Sequence, residues 1–142
     1  ADNVVTVTPG WSEAYGLFLE GEADLVLSYT TSPAYHLIAE GDATKVALPF
    51  EEGHLMQVEV AALVADADGP DLARDFLRYL VSDEAQEVLP TTNWMYPAVL
   101  PEGGLPEGFE AMRPVRTLVL DPEAAEAARP AAIEAWREAL SR

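Results

Sequence analysis

Four aromatic side chains with polar neighbours are the best candidates for functional residues in this chain, and their chemistry suits the non-covalent binding of a ligand. They lie at or near the ends of predicted elements: Trp11, Tyr29, Tyr35 and Trp94. Aromatic faces flank planar rings and attract cations, with about 0.5–2 kcal/mol for each cation–π contact. The hydroxyls of Thr30, Thr31 and Ser32, together with the amide of Asn93, can hydrogen-bond a polar heterocycle. The set predicts a site that binds a flat small molecule, neutral or cationic, without reacting with it.

The sequence offers no catalytic constellation. Its two histidines, His36 and His54, do not stand in a metal-ligand spacing such as HExxH. Because the sequence contains no cysteine, a thiolate nucleophile, a disulfide and a cysteine-based metal site are excluded. No phosphate-binding loop or nucleophile elbow occurs, and no acid–base pair stands out among 25 carboxylates. We therefore predict a protein that is not an enzyme and that holds neither a metal nor a cofactor.

The segment Ser28–Ser32, called the hydroxyl loop below, joins a predicted strand to a predicted helix. Leu25–Leu27 is a continuous apolar run, typical of a strand that is buried on both faces of a parallel sheet. Ser32 and Pro33 predict a helix N-cap followed by proline at the first helical position, and Gly41 predicts the end of that helix. In open α/β sheets, ligands bind at the carboxyl ends of strands, where such loops lie. An ordinary strand–helix connection has the same capping pattern, so both interpretations stay open at this point.

The other elements are predicted from hydrophobic periodicity and capping residues. Strands are predicted over residues 4–7, 45–50 and 55–65, the last long enough to bridge two lobes, and a strand or extended segment over 115–120. Helices are predicted over residues 12–20, 70–80, 82–90 and 122–141, with Pro90 ending the third and Pro130 kinking or restarting the last. The alternation of strands and helices predicts an α/β fold. Trp11 precedes the first helix, as a partly buried cover for the core or as a platform for a ligand.

Charge narrows the classes of partner. Acidic residues outnumber basic ones by 25 to 8, which gives a net charge of −17 at pH 7 over 142 residues. Such a surface repels nucleic acid and anionic lipid, so we predict neither as a partner. Long-range attraction favours a cationic ligand, although the same charge also serves solubility or adaptation to salt.

Targeting signals are sparse in the sequence. No apolar run approaches the roughly 20 residues of a membrane span. The first residues, Ala1–Val4, lack the basic and apolar regions of a signal peptide. This indicates either a cytoplasmic chain or a sequence that starts after its export signal.

Five blocks of sequence, spread in order over most of the chain, resemble a known family. They are Gly10-Trp-Ser-Glu-Ala-Tyr-Gly-Leu-Phe18, Asp24-Leu-Val-Leu-Ser-Tyr-Thr-Thr-Ser-Pro-Ala-Tyr-His36, Glu52-Gly-His, Gln57-Val-Glu-Val-Ala-Ala62 and Asn93-Trp-Met-Tyr-Pro97. Taken together, these blocks resemble the thiamine-binding periplasmic proteins of bacterial ABC importers. Each block alone is moderately specific, whereas the ordered set is highly specific.

The resemblance implies the α/β fold of type II periplasmic binding proteins, in which two lobes joined by crossing strands close on thiamine or its phosphates. It covers the C-terminal portion of the family. By that comparison, residues 1–52 belong to the second lobe, and residues 53–142 cross back and finish the first lobe.

The resemblance also implies roles for the residues chosen above on chemical grounds. Residues that match Trp11 and the segment Tyr29–Ser32 contact the ligand, and those that match Tyr35 and Trp94 form aromatic walls around it. The implied location is the periplasm. The implied partners are the membrane permease of the importer and the N-terminal portion of the same protein.

Two alternatives stay open. The first is the binding of ferric ion or another small cation, since related folds use tyrosinate ligands, but the tyrosines here are not adjacent and alternate with tryptophans. The second is an interaction or structural fragment that binds no solute and exposes the apolar surface of a lobe interface. For a fragment of this kind we expect self-association, by exchange of the strand 55–65 between copies.

Overall fold

The computed structural model describes residues 3–140 and contains helices and a small sheet. Its α-helices are α1 (Trp11–Leu19), α2 (Ser32–Tyr35), α3 (Pro70–Leu80), α4 (Asp83–Thr92) and α5 (Pro122–Leu140). A π-helix, His36–Glu40, continues α2, and a 3-10 helix spans Glu110–Met112. Strands β1 (His54–Leu55) and β2 (Thr117–Leu118) form a two-stranded sheet. The predicted end of the last helix at residue 141 lies outside the described residues.

The predicted helices are present, and their capping residues account for most of their ends. Pro70 begins α3, and Ser82 is the N-cap of α4, where its side chain accepts the Ala85 N–H at 3.4 Å. Gly41 ends the π-helix in the left-handed conformation, with φ at 69°, which a residue without a Cβ adopts readily. These ends are confirmed as predicted, because capping depends on residues close in sequence.

The prediction that Pro90 ends a helix is wrong. Helix α4 does not end at Pro90 but continues to Thr92. The Thr92 hydroxyl donates to the Val88 carbonyl at 2.8 Å, and the Asn93 N–H donates to the Leu89 carbonyl at 2.9 Å. Both hydrogen bonds join a residue after the proline to a residue before it, and they stabilise the last turn. Helix α5 runs through Pro130, so of the two effects predicted for this proline, a kink or a restart, the restart does not occur.

The predicted strands are where sequence and structure differ most. Residues 4–7, 25–27 and 45–50 form no strand. Of the ranges 55–65 and 115–120, only Leu55 and Thr117–Leu118 belong to a strand. A strand exists through hydrogen bonds to a neighbour. Among residues 3–140 only β1 and β2 pair in this way. Next to this pair the His54 N–H donates to the Arg116 carbonyl at 2.9 Å. The predicted burial of residues 25–27 is also wrong in this chain, because Leu27 is 84% exposed.

The chain divides into two compact units. The first contains Ala1–Ser28 and Leu118–Arg142, and the second contains Tyr29–Thr117. In the first unit the buried Tyr15 ring lies 4.7 Å from the Trp11 ring and 5.6 Å from the Phe18 ring, between centroids.

The second unit holds the larger group of buried side chains, namely Thr31, Pro33, Ala34, His36, Ala85, Gln86, Pro90, Pro101 and Phe109. Gln86 connects three of its segments: the side-chain amide donates to the Leu80 carbonyl at 2.5 Å and accepts the Val99 N–H at 3.0 Å. A buried amide that is satisfied on both sides stabilises this packing, and the segment after α4 is thereby held against α3 and α4.

Candidate functional site

The hydroxyl loop forms a tight turn that leads into α2. The Ser32 N–H donates to the Tyr29 carbonyl at 3.1 Å and the Ala34 N–H donates to the Thr31 carbonyl at 3.0 Å. Thr31 is therefore the N-cap of α2, and Pro33 lies in the first turn, where its missing N–H costs no helical bond. The prediction of Ser32 as the cap is wrong by one residue, because the turn already begins at Tyr29.

The side chains of this loop differ in what they present to a ligand. Tyr29 is 56% exposed and Ser32 is half-buried, whereas Thr31 is buried. The Thr30 hydroxyl lies beside the Tyr96 phenol and helps to lower the pKa of that phenol. Tyr29 and Ser32 are thus the side chains of this loop that are accessible to a ligand. Thr30 and Thr31 contribute to holding the loop in place.

Tyr96 links the hydroxyl loop to the segment around Phe109. Its hydroxyl donates to the Phe109 carbonyl at 3.0 Å, and the two rings meet edge-on at 84° with centroids 5.7 Å apart. Burial raises the pKa of the Tyr96 phenol, an effect that the Arg113 guanidinium and the Thr30 hydrogen bond partly offset. Since the fully buried Phe109 ring cannot shift without cost, Tyr96 gives the loop a fixed support.

Tyr35 and Trp94, called the aromatic pair below, are brought together although 59 positions separate them in sequence. Their ring centroids lie 5.0 Å apart and their planes cross at 85°. Trp94 has a φ of 55°, in the left-handed region that a bulky residue adopts only when the surroundings hold it there. The pair therefore forms two walls at a right angle, an arrangement that suits a planar ring placed against one of them.

The Glu40 carboxylate lies at the other end of Tyr35. It accepts a hydrogen bond from the His36 Nδ1 at 2.6 Å, which lowers the pKa of Glu40. The neighbouring Tyr35 hydroxyl adds to the lowering of this pKa, and the carboxylate in turn raises the pKa of Tyr35 by hydrogen bonding and by its charge.

A second carboxylate, that of Glu59, lies beside the aromatic pair's loop. It accepts a hydrogen bond from the Asn93 amide at 3.1 Å, and this amide also contacts the Met95 sulfur at 3.2 Å. The sequence suggested Asn93 as a hydrogen-bond donor to the ligand. In the structure its side-chain amide instead contacts two protein groups, the Glu59 carboxylate and the Met95 sulfur. The effect is to tie the Trp94 loop to the segment that carries Glu59.

Trp11 belongs to the first unit, separately from the other six predicted site residues. It is the first residue of α1, because Gly10 is the N-cap in an extended conformation, so the predicted cap at Ser12 is wrong. Its indole N–H donates to the Ser28 hydroxyl at 3.2 Å. The indole is 51% exposed and rests on Tyr15, so it covers part of the core and still presents a face to solvent.

Several residues of this region escaped the sequence analysis. Glu40, Glu59 and Tyr96 carry no motif, and Glu59 and Tyr96 each act through a partner that only the fold brings near. Glu40 had one available signal: it lies five positions after Tyr35 in a predicted helix that ends at Gly41.

Other kinds of site find no support in the part of the chain that the structure describes. Residues 3–140 contain no group of three or more histidine, aspartate or glutamate side chains arranged to hold a metal. None of the described helices is both long and apolar enough to cross a bilayer. A groove of about 390 Å³ on the first unit is lined by α5 side chains, including Ile133 and Trp136, and contains none of the predicted site residues.

Comparison with known proteins gives consistent relatives. Residues 1–87 match the family described as bacterial extracellular solute-binding protein. The thiamine-binding periplasmic proteins of Salmonella typhimurium and Escherichia coli are each 52% identical over 143 residues, covering 100% of this chain and 43% of the relative. That of Brucella melitensis is 45% identical over 140 residues, covering 98% of this chain and 42% of the relative.

A solved structure that is similar to this chain agrees with the sequence relatives. A periplasmic thiamin binding protein superimposes with a TM-score of 0.84 and 52% identity, covering 97% of this chain and 43% of that one. The chain thus spans less than half the length of the relatives that it matches.

Proposed function

Because this chain belongs to the bacterial extracellular solute-binding proteins, we propose that it carries part of a thiamine-binding site of an ABC importer. The resemblance inferred from the five sequence blocks is confirmed, and so is the fold class, an α/β portion of a periplasmic binding protein. The relatives are binding proteins of the periplasm by name. We accordingly assign this chain a periplasmic location and solute binding without catalysis. Thiamine or a thiamine phosphate is then a transported ligand and not a cofactor.

The observation that carries the proposal is the aromatic pair. Tyr35 and Trp94 meet at 85° in the second unit, and Trp94 is held in an uncommon backbone conformation. Thiamine combines a planar pyrimidine with a cationic thiazolium, and an aromatic face attracts both by stacking and by cation–π interaction. A residue held in a sparsely populated backbone conformation at a ring contact favours a functional role, because such residues cluster at ligand sites.

The remaining predicted site residues take supporting roles in this proposal. Tyr29 and Ser32 contact the ligand from the hydroxyl loop, and Thr30 and Thr31 hold that loop from behind. Trp11 is proposed as a ligand contact on the resemblance and on its exposed indole face. The formal charge of −17 supports a cationic ligand by long-range attraction.

The wider organisation is also a proposal. We assign residues 1–52 to the second lobe of the solute-binding fold, and residues 53–142 to the crossing and returning segments of the first lobe. The membrane permease of the importer is the proposed partner, because a solute-binding protein delivers its ligand there.

A calorimetric titration tests the proposal. We would titrate thiamine and thiamine monophosphate into this chain, and into a chimera in which it replaces the matching region of the Salmonella typhimurium relative. We expect the chimera to bind at least one of these ligands and a Tyr35→Ala, Trp94→Ala chimera to bind neither measurably. A folded chimera that bound neither ligand would refute the proposal.

Ferric ion is titrated in parallel as the competing solute. Binding of iron that is lost when Tyr29 and Tyr35 are changed to phenylalanine would favour capture of a metal cation. Thiamine binding with no response to iron supports the aromatic site.

A further inference from the structure

The side-chain amide of Asn93 ties together the residues on either side of Trp94. Its Nδ2 donates to the Glu59 Oε2 at 3.1 Å and contacts the Met95 sulfur at 3.2 Å. Asn93 is also the C-cap of α4, where its backbone N–H donates to the Leu89 carbonyl at 2.9 Å. One nitrogen atom thus connects the residue before Trp94 to the residue after it and to Glu59.

Glu59 determines the orientation of this amide. An ionised carboxylate accepts hydrogen bonds and donates none, so the NH2 group of Asn93, and not its carbonyl oxygen, points at Glu59. The same NH2 group then reaches the Met95 sulfur. Because Glu59 lies 34 positions earlier in the chain, this hydrogen bond attaches the loop after α4 to a separate segment of the second unit.

We propose that Glu59 is a positioning residue for Trp94: by holding the Asn93 amide, it stabilises the left-handed backbone of Trp94 and the right-angle contact of its ring with Tyr35. A bulky residue at a φ of 55° persists only where its surroundings hold it there. The Trp94 ring is half-buried, so packing alone leaves it room to change rotamer.

A ring that is held before the ligand arrives removes an ordering cost from binding. The effect of Glu59 on affinity rests on the proposed thiamine site. Its effect on the geometry of the two rings does not.

The geometric part is tested by NMR on the full 142-residue chain. We expect the cross-peak between the Tyr35 ring and the Trp94 indole to be lost in Glu59→Ala. It should be kept in Glu59→Gln, whose amide oxygen still accepts from Asn93. Glu51→Ala is the control, because Glu51 is an exposed glutamate of the same unit, and it should keep the cross-peak. An unchanged cross-peak in Glu59→Ala would overturn the proposal.

Exchanging the two polar groups gives a sharper test. Asn93→Asp alone places two carboxylates against each other and should lose the cross-peak. The double variant Glu59→Gln, Asn93→Asp restores an amide–carboxylate hydrogen bond with donor and acceptor exchanged, so it should recover the cross-peak. A double variant that behaves like Asn93→Asp alone would mean that Glu59 does not act through this hydrogen bond, and would overturn the positioning role.

The affinity part uses the chimera defined above. We expect Glu59→Ala to weaken thiamine binding about two- to tenfold, the net worth of one hydrogen bond, and Glu59→Gln to weaken it less. If Glu59 attracted the cation directly, both variants would weaken binding alike, because both remove the charge. That result would overturn the positioning role.

The two arms fail in different ways. If the wild-type chimera binds no thiamine, the proposed function fails, while the cross-peak still decides whether Glu59 positions the ring. Thermal unfolding of each variant identifies a general loss of folding, because positioning alone leaves the midpoint close to that of Glu51→Ala.

Discussion

The helical and the extended apolar segments of this chain differ in their backbone hydrogen bonds and in the burial of their side chains. The helical segment Ser32–Gly41 satisfies its hydrogen bonds within a few residues, and it buries Ala34 and His36 to 1% exposure. The extended segments, residues 25–27 and 56–65, are as apolar but leave Leu27 and Val60 84% and 86% exposed. The difference teaches that a helix carries its own backbone partners, whereas a strand depends on a neighbour from elsewhere.

The largest expected effect compares a buried ring with an exposed side chain. Phe109→Ala should lower the free energy of unfolding by about 3–5 kcal/mol, because it removes a fully buried ring and leaves a cavity. Leu27→Ala should change it by no more than about 0.5 kcal/mol, since its side chain is already in water. Urea unfolding of both variants measures the difference. Similar losses would show that residue 27 is buried in solution, and would break the comparison.

A smaller effect is expected for binding at the aromatic pair. Trp94→Ala in the chimera should weaken thiamine binding by about 1–3 kcal/mol, the loss for one desolvated aromatic contact. Trp136→Ala removes a tryptophan that is 59% exposed on α5 and serves as the matched control. Calorimetry gives both dissociation constants. If the two variants bind alike, Trp94 belongs to the packing and not to the site.

The extended segment should make the chain self-associate. Val58 and Val60 expose apolar surface next to backbone that has no strand partner among the described residues, which is a template for pairing between copies. Val60→Lys should raise the midpoint concentration of association about tenfold, equivalent to about 1.4 kcal/mol. Light scattering against dilution measures this.

The dependence on salt concentration distinguishes apolar association of this kind from association through ion pairs, which salt would weaken. The apolar association should strengthen as salt rises, because the chain carries a charge of −17 and screening reduces the repulsion between copies. A monodisperse wild-type monomer at tens of micromolar, about the level at which weak dimers form, would contradict the expectation.

The smallest effect concerns alkaline pH and Tyr96. The folded chain raises the pKa of this phenol above its ordinary value of 10.0, so its contribution to stability is complete below that pH and is lost as the pH rises through the raised pKa. Tyr96→Phe should be less stable than the wild type at pH 7, by about 0.5–1.5 kcal/mol for the lost bond to the Phe109 carbonyl. The difference should shrink as the pH rises above 10.

Chemical denaturation at a series of pH values follows this difference. Taking the difference between the two proteins cancels the other groups that titrate in the same range. A gap that stayed constant up to strongly alkaline pH would mean that Tyr96 ionises as freely in the folded chain as in the unfolded one.

Much of the local structure follows from neighbouring residues and was predictable. Ser82 caps α4, Pro70 begins α3 and Gly41 closes the helical segment, each because a backbone group and its partner lie within a few positions. Even here proline misled the prediction at Pro90, where bonds from the residues beyond it carried the helix further.

The residue types of the candidate site come from the sequence, and its connections come from the fold. Aromatic and hydroxyl residues at element ends suggested Tyr35 and Trp94, which stay a prediction, and the structure adds that their rings meet at a right angle. The support given by Tyr96 and Glu59 was not predictable, because each acts on residues at least 30 positions away.

By itself the sequence determined the helices, several of their caps and the family, since these depend on residue types at short spacing or on ordered blocks shared with the relatives. Only the tertiary structure decided that Thr30 lies beside Tyr96, that Asn93 donates to Glu59, and that the apolar runs stay exposed. The physical reason is the range of the interactions. Caps and helical bonds form within one or two turns, whereas burial, ring contacts and strand pairing need partners that the chain must fold to meet.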